Sequence, residues 1–401
     1  LLSYKTIKIY LNFFTNRKMN ISLYKSFFKK YKRIIIKVGS SLLVDPNLGK
    51  IRESWIKSLA KNISKLIEID KELLIVSSGA IALGRESLNL MDKNLELQES
   101  QASASIGQIS LAHAWQSALE KRNIKSAQIL LSPDDTETRR RHLNARATIS
   151  TLLKFKVVPV INENDTVTTT EIRFGDNDRL AARVAQMTSS DLLILLSDVD
   201  GLYDSDPRIN KSASHISKVD NISDKIMEMA GSANYEYASG GMITKLEAAK
   251  ITRIAGCAMI ICNGEKLSPI DNLVEGAKYT LFEVNQTPLS ARKSWIAAGI
   301  NILGKVTLDE GAIKALSKGS SILPAGVINI SGSFERGDLI DVLDKEGKKI
   351  ASGLSAYGSE EVKLIAGNKT DKIKTILGYA GRHELIHRDD LVLNQNNSIN
   401  S

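Results

Sequence analysis

Two lysines and two polar clusters are the parts of this sequence best suited to chemistry. Lys37 ends an apolar run and is followed by Gly39, Ser40 and Ser41; Lys245 lies one turn into a segment opened by Ser239, Gly240, Gly241, Met242, Ile243 and Thr244. Where a glycine turn opens a helix, free backbone N–H groups and the helix dipole favour an anion. Phosphate is the natural anion, and both lysines are placed to reach one phosphate chain. The sequence has no Gly-x-x-x-x-Gly-Lys-Ser/Thr and no Gly-x-Gly-x-x-Gly after a strand, which excludes a P-loop and a dinucleotide fingerprint.

Asn162, Glu163, Asn164 and Asp165 form the first polar cluster, and Asp176, Asn177 and Asp178 the second, on either side of a hydroxyl-rich loop, Thr166 to Thr170. Such clusters can supply ligands for an amino group or a metal-bound phosphate. Singly, a glycine pair is a turn and a lysine after a strand extends to solvent. Other candidates fare worse. Asp198, Asp200, Gly201, Asp204 and Asp206 miss the spacing of a calcium loop and read as a solvated turn closed by Pro207. His113, His142, His215, His383 and His387 lack metal-ligand spacing, apart from a weak His383/His387 pair with no partner acid. Arg139, Arg140, Arg141 and Arg146 follow Asp134, Asp135 and Glu137 and read as a solvated face.

The elements that position these residues are legible as apolar runs. Residues 34–38, 73–77, 127–131, 157–161, 192–196 and 258–262 read as strands buried on both faces, and residues 53–69, 101–121, 141–154, 178–188 and 241–255 as helices between them. Alternation of this kind predicts a three-layer α/β/α domain with a mainly parallel sheet, over about residues 31–290. In such a sheet ligands bind beyond the carboxyl ends of the strands. Lys37 to Ser41, Ser77 to Ala80, Asn162 to Asp165, and Ser197 with Asp198 and Asp200 follow four of the strands and should converge on one rim. After residue 295, short strands punctuated by glycine predict a small β-rich module over 296–390, followed by a disordered tail over 391–401.

Composition narrows the class. The chain has 401 residues, 43% hydrophobic and 25% charged, with only two cysteines. That excludes a disulfide scaffold and a broadly disordered protein, and a reducing, cytoplasmic setting is expected. No apolar run is long enough to span a membrane. Lys and Arg outnumber Asp and Glu by 54 to 45, but the excess lies in residues 1–33, before the first acid, Asp45. A neutral body gives no global case for polyanion binding. Residues 1–30 read as a basic extension, either disordered or, with Met19 inside it, not native; a transit peptide is the alternative, although Lys outweighs Arg.

The motifs occur in the order seen in a known family. Lys37-Val-Gly-Ser-Ser, Val76-Ser-Ser-Gly-Ala-Ile-Ala, Pro159-Val-Ile-Asn-Glu-Asn-Asp165, Phe174-Gly-Asp-Asn-Asp178 and Gly240-Gly-Met-Ile-Thr-Lys245 resemble the glutamate 5-kinases of the amino acid kinase family, and the tail module resembles a PUA domain. The resemblance covers about residues 33–390 and is most specific over Asn162 to Asp178. It implies ATP- and Mg2+-dependent phosphorylation of the L-glutamate side-chain carboxylate, the entry to proline synthesis, with feedback inhibition by proline. By position it implies Lys37 and Lys245 as transition-state lysines with Asp178 orienting them. It places Ser78, Asn162, Asp165 and Asn177 at glutamate, Asp165 accepting from the ammonium. Lys37, Ser197, Asp198 and the turn Ser239 to Lys245 fall at the nucleotide. The chain departs from the family in having Ser where Thr is common at Ser197 and Ser239, and Ala238 for a frequent glycine.

The resemblance further implies a homo-oligomer, dimer or tetramer, and a glutamyl phosphate reductase as the partner that takes up the labile product. Rival readings are an RNA-binding protein acting through the PUA-like module, and a kinase of the same fold for another carboxylate or a nucleotide.

Overall fold

The computed structural model describes residues 20–91, 93–168, 177–230, 241–297 and 302–394. They fall into two compact units: residues 1–137 with 145–288, and residues 138–144 with 289–401, by chain numbering.

The first unit is built on an eight-stranded sheet. Its strands are β1 (Arg33–Val38), β2 (Glu72–Ser77), β3 (Ser126–Leu131), β4 (Val158–Glu163), β5 (Leu192–Ser197), β8 (Lys218–Val219), β9 (Ala258–Asn263) and β10 (Tyr279–Phe282); β6 (Leu202–Tyr203) and β7 (His215–Ile216) pair separately. The order is β3-β4-β2-β1-β5-β9-β10-β8. Every pairing from β3 to β9 is parallel, and β10 runs antiparallel to β9. The helices are α1 (residues 20–27), α2 (Ser40–Leu43), α3 (Glu53–Glu68), α4 (Ala80–Ser87), α5 (Leu97–Glu120), α6 (Pro133–Glu137), α7 (Arg139–Lys154, of which residues 139–144 fall in the second unit), α8 (Asn177–Thr188), α9 (Asp224–Glu228), α10 (Met242–Ile254) and α11 (Pro269–Val274).

Side chains of a strand alternate between faces, and here both faces are buried. Ile34, Ile36, Leu73, Ile75, Leu192, Ile194, Ala258 and Ile260 join a core with Trp55 and Leu59 of α3 and Leu111 and Trp115 of α5. Ile35, Leu74, Val76, Leu193, Leu195, Met259 and Ile261 join the opposite core with Leu180 and Val184 of α8 and Leu246 and Ala249 of α10. The three-layer α/β/α architecture read from the sequence is therefore observed. Lys37 lies two residues beyond Ile35, so the same pleat turns it towards α8 and α10.

Two helices of the first core pack unusually closely. A Cβ added at Gly107 of α5 would lie 1.8 Å from the Ala80 carbonyl oxygen at the start of α4. Only glycine permits that approach, which seats the first turn of α4 against α5.

Residues 20–30, read from the sequence as part of a basic extension, belong to the folded unit. Tyr24 and Phe28, four apart, are fully buried in the α3/α5 core. The Tyr24 hydroxyl donates to Asp271 Oδ1 at 2.7 Å, and Lys65 Nζ donates to the same oxygen at 2.6 Å. Lysines at 25, 29 and 30 masked this apolar pair in the composition. Residues 1–19 lie outside the described residues.

The second unit holds α12 (Pro288–Ala297), β11 (Gly304–Leu308), α13 (Glu310–Ser317), β12 (Val327–Gly332), β13 (Leu339–Leu343), β14 (Lys349–Leu354), α14 (Ser359–Ile365), α15 (Ile373–Leu377) and β15 (Leu391–Leu393). The sheet order is β12-β11-β13-β14-β15. Val306, Leu308, Ile340, Val342, Tyr357, Val362 and Ile386 form its core. Leu391–Leu393, assigned by sequence to a disordered tail, pair antiparallel with β14, and Leu391 is buried in that core.

Candidate active site

A cleft of about 690 Å³ opens at the carboxyl ends of β1, β2, β4 and β5. Its walls include Lys37, Gly39, Ser40 and Ser41 after β1; Ser78, Gly79 and Ala80 after β2; Asn162, Glu163 and Asp165 after β4; and Ser197 and Asp198 after β5. Asn177, Gly241 and Lys245 complete it from the starts of α8 and α10. The four strand ends thus converge on one rim.

One carboxylate organises the floor. Asp178 Oδ1 lies 2.6 Å from Lys37 Nζ, and Asp178 Oδ2 lies 3.0 Å from Lys245 Nζ. Thr244 Oγ1 donates to Oδ2 at 3.3 Å. The three charged residues are 6%, 0% and 8% exposed for Lys37, Asp178 and Lys245. Charges so deep persist only when paired, and here both ammonium groups are set on the Asp178 carboxylate beside the cleft. Gly241, which caps α10, has φ of 131° with no atom of the described residues within 4 Å of an added Cβ. Gly79, with φ of 112°, similarly turns the chain from β2 into α4.

A second set of residues is joined by amides. Asn177 Nδ2 donates to the Ser77 carbonyl at 2.7 Å, to Ser78 Oγ at 2.9 Å and to Asn162 Oδ1 at 2.9 Å. Asn162 Nδ2 in turn donates to Gln108 Oε1 of α5 at 2.8 Å. Beneath them the Trp115 indole donates to Ser77 Oγ at 2.9 Å. The loop after β4 is held by Thr168 Oγ1 donating to the Asn164 carbonyl at 2.7 Å and Gln101 Nε2 to the Thr168 carbonyl at 3.1 Å.

On the β5 side, Ser197 Oγ donates to Asp198 Oδ1 at 2.9 Å, and Asn263 Nδ2 to the Asp198 carbonyl at 3.2 Å. Asp200, grouped with this rim by sequence, instead accepts from the Tyr203 hydroxyl at 3.0 Å and is not part of the cleft wall. Met242 packs against the α8/α10 core, and Ile243 and Thr244 likewise leave the lining to Gly241 and Lys245. Ser239 and Gly240 lie outside the described residues, as do Thr169, Thr170 and Asp176. Sequence reasoning missed Arg85 on α4, which lines the cleft, and Gln108. Arg85 is signalled only by its place in the helix opened by Gly79; Gln108 sits mid-helix with no local motif.

Known proteins resemble this chain over most of its length. Residues 32–263 match the Amino acid kinase family, and residues 304–377 match the PUA domain. Glutamate 5-kinases of Brucella anthropi and Brucella ovis are each 53% identical over 365 residues, covering 91% of this chain and 96% of theirs. The glutamate 5-kinase of Brucella abortus is 52% identical over the same length. The chain belongs to the amino acid kinase family.

Proposed function

We propose that this chain transfers the γ-phosphoryl group of ATP to the side-chain carboxylate of L-glutamate, forming L-glutamyl 5-phosphate, the first step of proline biosynthesis. The observation that carries the reading is the pair of buried lysines on Asp178, within one cleft with Asn162, Asp165 and Asn177. The identity to glutamate 5-kinases along most of the chain supports the substrate.

The chemistry suits the residues. A side-chain carboxylate with a pKa of about 4.3 is ionised at neutral pH and needs no general base. A carboxylate oxygen attacks the γ-phosphorus, the bond to the β-phosphate oxygen breaks, and ADP leaves. The cost lies in aligning two anions and stabilising charge on the transferred group. Lys37 and Lys245 supply that charge, and Asp178 fixes where their ammonium groups point. Ser78, Asn162, Asp165 and Asn177 hold glutamate, with Asp165 taking its ammonium. Ser197, Asp198 and the turn through Gly241 hold the nucleotide.

Mg2+ is proposed to arrive on the triphosphate, as that ion commonly does. There it supplies charge neutralisation of the phosphates. Inhibition by proline, a homo-oligomeric state, a cytoplasmic location and delivery of the acyl phosphate to a glutamyl phosphate reductase belong to the same proposal. Among the described residues no helix is long and apolar enough to cross a membrane.

The test is hydroxamate formation with ATP, Mg2+ and hydroxylamine, using glutamate, aspartate and N-acetylglutamate in parallel. Product from glutamate alone is expected; product from another acid only, or none from folded protein, would overturn the proposal.

A further inference from the structure

We infer that Gln108 is a positioning residue that sets the hydrogen-bond polarity of the amino-acid end of the cleft. The inference deepens the proposal above and rests on it. Its starting point is the Ser77 carbonyl, which can only accept. Asn177 Nδ2 lies 2.7 Å from that oxygen, so the Asn177 amide must present nitrogen there. The same nitrogen lies 2.9 Å from Asn162 Oδ1, which requires Asn162 to present oxygen. Asn162 then turns its own Nδ2 towards α5, where Gln108 Oε1 receives it at 2.8 Å. Each amide fixes the next, and the chain ends on an oxygen at position 108.

The polarity has a consequence at the cleft. With its two amide protons shared among the Ser77 carbonyl, Ser78 Oγ and Asn162 Oδ1, Asn177 has only Oδ1, an acceptor, left to offer. Ser78 Oγ accepts from Asn177, so the Ser78 hydroxyl proton is free to donate elsewhere. Ser78, Asn177 and Asp165 all line the cleft. The site therefore presents two acceptors suited to an ammonium and one hydroxyl donor suited to a carboxylate, the pattern of an amino acid. Gln108 does not line the cleft and acts through Asn162. Without an acceptor at 108 the Asn162 amide loses the bond that anchors its orientation, and with a donor there it gains by rotating, which sets its NH2 against that of Asn177 and breaks the pattern.

The experiment measures kcat, glutamate KM and ATP KM, with thermal melting, for the full chain and for Gln108→Leu, Gln108→Lys and Gln108→Glu. Leu removes the acceptor, Lys supplies only donors, and Glu keeps an oxygen. Leu and Lys should raise glutamate KM about tenfold with ATP KM within about twofold, and Glu should restore glutamate KM to within about threefold of the parent. A Glu variant as impaired as Lys, or a folded Leu variant with unaltered glutamate KM, overturns the inference. If Leu fails to fold, the Lys and Glu pair decides. A parent that forms no hydroxamate from glutamate overturns the substrate reading and this inference with it; an active parent isolates the failure to Gln108.

Discussion

Lys37 and Lys245 grip the two oxygens of a single carboxylate, at 2.6 Å and 3.0 Å, although they come from a strand end and a helix start more than two hundred residues apart. Asp178, which carries those oxygens, opens α8 between them. The arrangement fixes the spacing of two ammonium groups before any phosphate arrives, and such preorganised charge is worth most in a site closed to water.

Lys245→Ala should therefore lower kcat by about 100- to 1000-fold, with glutamate and ATP KM changed far less, because its charge is used in the transition state. Steady-state kinetics of the purified, folded variant checks this, and unchanged turnover would remove Lys245 from the catalytic set.

Asp178→Asn removes the carboxylate on which both buried ammonium groups are set. The ATP-free variant should lose about 3 kcal/mol of stability. ATP, whose phosphates replace the missing anion, should raise its melting temperature more than it raises that of the parent. Equal ATP-induced shifts in thermal melts would contradict the proposed place of the phosphates.

Asp165→Ala should raise glutamate KM at least about tenfold and leave ATP KM within about twofold, since a lost charged partner costs binding at the ammonium alone. A variant with normal glutamate saturation would move the amino-acid site elsewhere in the cleft.

Tyr24 tests the boundary of the folded unit. Tyr24→Ala should cost about 3 kcal/mol or more through the cavity it leaves, and Tyr24→Phe about 1 kcal/mol through the lost bond to Asp271. Urea titrations would measure both. Neutral substitutions would return residues 20–30 to the status of an extension.

Cys257 and Cys262 are buried, and burial pushes the Cys262 thiol up to about 12 and raises that of Cys257 well above its ordinary value. The unfolded thiols ionise near about 8.5, so their contribution to stability is whole below that pH and is lost as pH climbs towards the folded value. Iodoacetamide at pH 8 should leave the native protein unmodified and label both cysteines in urea. Labelling of native protein would show that either thiol is accessible.

The parallel strands were legible because strands buried on both faces are almost uninterrupted runs of Ile, Leu and Val. β10 was not, since four residues with alternating burial carry little signal, and its reversal of direction is a tertiary fact. α4 escaped because Ala80–Ser87 is short and its seat depends on Gly107, far along the chain. Lys37, Asn162 and Asp165 could be read as strand-end residues from the runs before them. The joining of Lys37, Asp178 and Lys245 came from resemblance, because nothing in local spacing brings α8 and α10 against β1. Tyr24 was hidden by the lysines around it, and Gln108 by the absence of any motif near it.

The central claim is that a carboxylate oxygen of glutamate attacks ATP in this cleft. Glutamate labelled with oxygen-18 in its side-chain carboxylate, incubated with ATP, Mg2+ and hydroxylamine, should yield hydroxamate and inorganic phosphate carrying one labelled oxygen, read by mass spectrometry. Unlabelled phosphate released by the folded protein would mean that water, not glutamate, receives the phosphoryl group, and would contradict the account.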